Sequence, residues 1–347
     1  VPKSTSITID YNLAVLLAGD IGGTKTLLGL FLPAVPRPAP VETRAFPTLE
    51  SGDLSDMVAE FLAGAQAGGD RIQAACFGVA GPVVGTTAQL TNVPWRVDSA
   101  QLAARLSIAR VSLLNDLVAL AHAVPVLSAS ELHVLQQGCV VPDGNRALIA
   151  AGTGLGEASL LFVGGRLVPS PSEAAHADFA ARTPGEIRIL RELTRTLGRV
   201  DVERVVSGPG LVNIHGILHG GPCPIVDPAS DPAGAPGRIS RAALERRCGR
   251  CVETLDTFVS AYGAEAGNLA LRALATGGVY VGGGIAPKIL PALEAGGFLE
   301  AFRTKAPMEE LLRNVPVFVI LNPAAGLLGA AVHAGVTAHA PSPMDPP

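Results

Sequence analysis

The 347-residue chain carries 26 Lys and Arg against 30 Asp and Glu, a net charge of −4 that gives no basis for a nucleic-acid or acidic-membrane partner. Its length allows two domains with sizeable cores. Aromatics are 4% of the residues and there are 40 glycines, so the core must be built from Ala, Val, Leu and Ile against closely approaching backbone, as in an α/β protein.

No apolar run reaches the length of a membrane span. The run over 13–18 comes nearest to a signal-peptide core, but it is short and bracketed by Asp10 and Asp20, and it reads as a buried strand. Without an export signal the expectation is a cytoplasmic protein whose five cysteines are reduced.

Residues 16–31 form the first element: an apolar run, a glycine turn at Gly19-Asp-Ile-Gly-Gly-Thr24, and a second apolar run. Residues 148–163 repeat this almost position for position around Gly152-Thr-Gly154, with Gly22 matched by Gly154 and Leu28 by Leu160. Two similar hairpins predict two similar half-domains. Each glycine turn lets backbone N–H groups converge without a Cβ in the way, a concavity suited to phosphate oxygens. Two such turns would hold a triphosphate from both sides. Asp20, where the first strand meets the turn, is placed to hold Mg²⁺, through water.

A proline-rich connection over 33–40 leads to a strand over 41–46, a helix over 53–67 and a strand over 72–80. This alternation predicts a mostly parallel or mixed sheet with helices on its faces. The loop 90–98 holds Trp95, read as a hydrophobic plug, and Asn92, which offers a ligand both a donor and an acceptor. Asp98 or Ser99 would cap the following helix. At 111–122 a strand runs straight into a helix, with Asn115 and Asp116 at the junction. Either one alone would serve as a helix cap, but two exceed what a cap requires. A carboxylate at the carboxyl end of a strand lies where ligands bind in α/β sheets, which makes Asp116 the general-base candidate.

The second unit begins near Val126, giving a small α/β domain of residues 1–126 plus 322–347 and a large one of 127–321. Glu173 and His176 lie three apart among small residues, an acid and an imidazole suited to a polyhydroxylated ligand. Thr183-Pro-Gly-Glu186 is a capping box opening a helix to about 197. Glu203 precedes Ser207-Gly-Pro-Gly-Leu211, which starts a further helix ending at Gly220. A long helix is expected over 240–275, with the arginines between Arg238 and Arg250 on a solvated face. Cys248 and Cys251 would lie inside it as small buried residues rather than as metal ligands, because the two further donors, His219 and Cys223, lie across a proline-rich loop. Around Gly282 the spacing fits neither a P-loop nor a dinucleotide fingerprint, and Gly283 and Gly284 suit a nucleoside lying on bare backbone. A last strand over 315–321 precedes a small-sided helix that must pack closely.

Gly19-Asp-Ile-Gly-Gly-Thr24, Leu114-Asn-Asp-Leu117, Gly152-Thr-Gly-Leu-Gly156, Ser207-Gly-Pro-Gly-Leu211 and Gly282-Gly-Gly-Ile285, in this order, resemble the motifs of bacterial-type glucokinases of the actin-like sugar-kinase and heat-shock ATPase superfamily. The resemblance implies two actin-like (ribonuclease H-like) α/β domains with an interdomain cleft. It also implies phosphorylation of glucose at its 6-hydroxyl with Asp116 as base, MgATP as donor, and a homodimer. Asn92, Asn115, Asp116, Glu173, His176 and Glu203 would contact glucose or a related hexose. Gly19, Asp20, Ile21, Gly22, Gly23 and Thr24, with Gly152, Thr153 and Gly154, would hold the ATP phosphates, Asp20 lying near Mg²⁺. Gly283 and Gly284 would lie under the nucleoside. The chain departs from the family at Glu173-Ala-Ala-His176, where Glu-Gly-Gly-His is usual, and a positive φ at either alanine would be strained. The rivals are a sugar-responsive regulator without catalysis and an actin-like or chaperone ATPase.

Overall fold

The computed structural model describes residues 14–65, 72–90, 93–221 and 223–339, so the ends of the chain and Asn92 lie outside the described residues. Contacts divide the chain into two compact units, one reaching Val126 and resumed from Ala324, the other Leu127–Pro323.

In the first unit β1 (Val15–Ile21) and β2 (Lys25–Leu32) form an antiparallel hairpin, followed by β3 (Ala39–Pro47), α1 (Leu54–Gly64) and β4 (Ile72–Val79). A small sheet of β5 (Val83–Val84), β6 (Thr87–Gln89) and β7 (Arg96–Asp98) comes next, then α2 (Ser99–Leu106), β8 (Val111–Asn115) and α3 (Asp116–Ala123). The main sheet runs β3-β2-β1-β4-β8, with β1, β4 and β8 parallel. Both faces are covered, which is why the inner strands read as unbroken apolar runs. Leu17, Ile21, Leu28, Phe61, Phe77 and Trp95 fill one side, and Leu16, Phe31, Cys76 and Leu327 the other. Trp95 is the expected plug, and Asp98 caps α2 by accepting from the N–H groups of Ala100 and Gln101. The predicted helix over 53–67 is α1, capped by Asp53 and stopping at Gly64.

The second unit repeats the plan. It contains β9 (Leu132–Gln136), the hairpin β10 (Arg146–Ala151) and β11 (Leu155–Val163), β12 (Arg166–Ser172), α4 (Pro184–Leu197), α5 (Gly208–His219), α6 (Ala235–Leu244) and α7 (Gly249–Ala273). Then follow β13 (Gly278–Gly282), α8 (Leu290–Glu294), α9 (Gly297–Arg303), α10 (Glu309–Asn314) and β14 (Val317–Ile320). Its sheet order, β12-β11-β10-β13-β14-β9, is that of the first unit with one antiparallel edge strand added. The chain then rejoins the first unit as α11 (Ala325–Ala338).

The single helix expected over 240–275 is two. α6 ends at Leu244, Arg246 takes a left-handed φ of 54°, and α7 restarts at Gly249. The charged, exposed segment Glu245-Arg-Arg247 forms the corner. Cys248 therefore caps α7 and Cys251 lies in its first turn, not mid-helix. Leu274 is the left-handed C-cap residue of α7 and is exposed. Within α7, Gly263 and Gly267 stand one turn apart where α9 crosses. A Cβ on Gly263 would overlap the Phe298 carbonyl, and one on Gly267 would lie 2.6 Å from the Phe302 oxygen.

Candidate functional site

In the first unit, the candidate residues gather at the carboxyl ends of β1, β4 and β8. Gly22 N–H donates to the Lys25 carbonyl at 3.1 Å and closes the β1–β2 turn. Thr48, buried, braces it: its hydroxyl donates to the Gly22 carbonyl at 2.8 Å and its N–H to the Thr24 carbonyl at 3.1 Å. Asp20 pairs with Gly78 across β1 and β4. Gly78 matters by what it lacks, since a Cβ there would lie 2.8 Å from the Ala119 Cβ and 3.6 Å from the Asp116 Cα. That bare position lets α3, which begins at Asp116, sit down on β4. Asn115 caps α3, accepting from Leu117 N–H at 3.0 Å while its amide donates to the Gly81 carbonyl at 3.2 Å. Asp116 also accepts from Leu117 N–H, at 2.8 Å, which fixes its carboxylate at the helix start.

Burial, together with the like charge of nearby Asp116, pushes the Asp20 carboxyl up to about 6, with Lys25 opposing. A buried carboxylate whose ionisation is made costlier by a second acid nearby is relieved by a divalent cation, so the residues present fit Mg²⁺. α11 returns to this place with its own bare position: a Cβ on Gly326 would lie 2.8 Å from the Asp20 carboxylate.

In the second unit, the candidate residues are organised on the β10–β11 turn. Gly152 N–H donates to the Gly154 carbonyl at 2.7 Å, and the Gly152 carbonyl accepts from Gly208 N–H at 2.8 Å, pinning the start of α5 to the turn. Ser207 caps α5 through Gly210 N–H and donates its hydroxyl proton to the Glu203 carbonyl. Glu203 accepts from Leu155 N–H at 2.8 Å, and a Cβ on Gly154 would crowd that carboxylate at 2.6 Å. Glu203 N–H in turn donates to the Ala175 carbonyl, so this one residue ties the glycine turn to the Glu173–His176 segment. His176 Nδ1 lies 3.1 Å from Asp201, and its carbonyl accepts from Arg199. Glu173 and His176 are exposed, and Ala174, Ala175 and His176 form a short 3-10 turn. Neither Ala174 nor Ala175 has a positive φ, so the departure from the family pattern carries no backbone strain there.

Gly283, at φ 82°, closes against the same turn, for a Cβ there would overlap the Ala151 carbonyl, whereas Gly284 is open. Tyr262 supports it from beneath, its hydroxyl 3.2 Å from Ala151 N. Thr48, Gly78, Tyr262 and Gly326 escaped the sequence reading. Gly78 and Gly326 alone left a signal, as glycines inside otherwise regular elements.

The repeated strand order, with a glycine turn in the β1–β2 and β10–β11 hairpins, defines the actin-like two-domain α/β fold of sugar kinases. A family model described as Glucokinase matches residues 17–336. A glucokinase from Trichormus variabilis is 41% identical over 343 residues, covering 92% of this chain and 98% of its own length. A solved glucokinase from an Antarctic psychrotroph superposes with a TM-score of 0.82 at 28% identity, covering 93% of this chain and 99% of its own. A ROK-family glucokinase from Streptomyces griseus, solved with glucose and AMPPNP, shares the fold at a TM-score of 0.61 and 20% identity, over 92% of this chain and 99% of its own. The chain belongs to the glucokinase family, whose members are kinases acting on glucose. No described helix is long and apolar enough to cross a membrane.

Proposed function

We propose that the chain transfers the γ-phosphoryl group of ATP to the 6-hydroxyl of glucose, with Asp116 as the general base. The observation that carries this reading is the placement of Asp20 opposite Gly78 on β4, with the Asp116 Cα 3.6 Å from where a Gly78 Cβ would stand, so that the Asp116 charge helps burial to raise the Asp20 carboxyl. One has a cation's role open to it and the other a proton's. Glucose and AMPPNP in the Streptomyces griseus enzyme agree with a hexose acceptor and a nucleotide donor.

In this reading the backbone N–H groups of Gly19 to Thr24 and of Gly152 to Gly154 hold phosphate oxygens. Asp20 holds Mg²⁺ through water, and the ion supplies charge neutralisation on the phosphates. Asp116, fixed by Leu117 N–H, accepts the 6-hydroxyl proton as the oxygen attacks phosphorus. Asn92, Asn115, Glu173, His176 and Glu203 bind the remaining hydroxyls, while Gly283 and Gly284 lie under the nucleoside. Phosphoryl transfer asks little covalent work of a protein, so positioning by these groups is the main contribution.

The test is product formation from MgATP over glucose, mannose, N-acetylglucosamine and 2-deoxyglucose. The expected outcome is glucose 6-phosphate as the leading product. Nucleotide binding without phosphorylation of any hexose would overturn the reading.

A further inference from the structure

Away from the glycine turns, the second unit gathers five metal-binding side chains from three pieces of chain. His215 and His219 stand one turn apart on α5, with ring centroids 4.3 Å apart. Cys223 follows in the loop after α5, and Cys248 and Cys251 open α7. The candidate donor atoms of His215, His219, Cys223 and Cys251 all lie within 4.8 Å of one another. Cys223 Sγ is 4.0 Å from both Cys248 Sγ and Cys251 Sγ, and Cys248 Sγ is 3.5 Å from His219 Nε2. Against the expectation that Cys248 and Cys251 are merely small buried residues, the fold brings His219 and Cys223 to them across the proline-rich loop.

We propose that His215, His219, Cys223 and Cys251 form a structural zinc site, with Cys248 as the adjacent outer thiol. Bonds of about 2.3 Å to sulfur and about 2.0–2.1 Å to nitrogen in a tetrahedron place neighbouring donors roughly 3.5–3.8 Å apart. The separations in the cluster are close to that, and only small side-chain shifts complete it. The spacings themselves, three residues between the histidines and two between the cysteines, are those of zinc sites.

Two further observations favour a metal over a packed core. His215 is buried at 2% exposure, and its Nε2 has no hydrogen-bond partner, a cost that a metal bond removes. The three thiols cannot all pair as disulfides, and sulfurs 4.0 Å apart are far from a bond of about 2.05 Å. With four protein donors the site has no position open for substrate, and it would clamp the end of α5, the 220–234 loop and the start of α7.

The experiment is metal analysis of the tag-free protein purified under reducing conditions. The expected result is about one zinc per chain, retained on gel filtration and lost together with several degrees of Tm on treatment with a strong chelator. Cys223→Ser and His219→Ala should lose the metal while Cys248→Ser keeps it. Should the variants fail to fold, Co²⁺ added to the metal-stripped wild-type chain still decides. Intense tetrahedral d–d bands with thiolate-to-cobalt charge transfer support the site. A wild-type chain that carries no zinc and gives no such bands overturns it, as does Cys223→Ser that keeps its zinc or Cys248→Ser that loses it.

Discussion

The two units share one sheet order and one hairpin, yet their turns differ in chemistry. Aligned on Gly22 and Gly154, Asp20 of the first turn corresponds to Gly152 of the second. The first turn keeps an acid beside Asp116 and braces itself with Thr48 from β3's far end. The second carries no acid of its own and borrows one, Glu203, one of whose carboxylate oxygens accepts from Leu155 N–H. A duplicated scaffold supplies the same backbone concavity twice, and the residues around it divide the work. In the proposed reading, charge chemistry belongs to the first unit, and backbone donors with a fixed floor belong to the second.

The strongest way to break this comparison is to take the acid from the first turn. Asp20→Asn should lower kcat about 10²- to 10⁴-fold, as loss of a charged group at phosphoryl transfer does. It should also stabilise the unliganded fold. Because Asp20 is raised from 3.8 to about 6 in the folded state, the native protein binds more protons across that window, and its stability falls as pH rises from about 4 to about 6. Asparagine removes that penalty, worth about 1–2 kcal/mol at pH 7 once partial exposure is allowed for. Denaturant melts of both proteins over pH 4–8 check the sign. If the variant is no more stable at pH 7 than the wild type, burial and the Asp116 charge do not penalise the ionised Asp20 carboxylate.

In the second unit the effect should be one of shape. Gly283→Ala forces a left-handed alanine into the Ala151 carbonyl and should cost about 2–4 kcal/mol. Gly284→Ala, with nothing within 4 Å, should stay within about 0.5 kcal/mol. Equal melting curves for the two variants would contradict a fixed floor there.

The smallest effect concerns the first unit alone. His122 on α3 and His333 on α11 lie 3.2 Å apart, and burial with mutual repulsion holds His122 down to about 4. Their contribution is complete above about pH 6.5 and is lost as pH falls toward 4, because the unfolded chain then binds the extra protons. The loss should be about 1–2 kcal/mol. His122→Leu should flatten the acid limb of a Tm-versus-pH curve, and an unchanged limb would count against it.

Much of this was legible in the sequence because local patterns agree with the fold. Two apolar-glycine-apolar hairpins announced the repeat, Asn115 and Asp116 marked a strand-helix junction, and the Thr183 capping box and Ser207 set their helix starts. β12 was not read as a strand, because Pro169 and Pro171 mask a segment that survives only as a sheet edge. The corner between α6 and α7 was invisible, since apolar spacing continues across it while the backbone does not. The Cys and His cluster was seen in pieces, for sequence spacing alone does not tell where a loop returns. Thr48 and Tyr262 act on the turns through contacts far along the chain, which no local pattern encodes.

The division of labour rests on Asp116, and the most direct measurement is steady-state glucose 6-phosphate formation by Asp116→Asn beside isothermal titration of glucose and ATP. The account predicts kcat lower by about 10²- to 10⁴-fold with both ligands still bound at near-native affinity. Turnover within a few-fold of the wild type would contradict it.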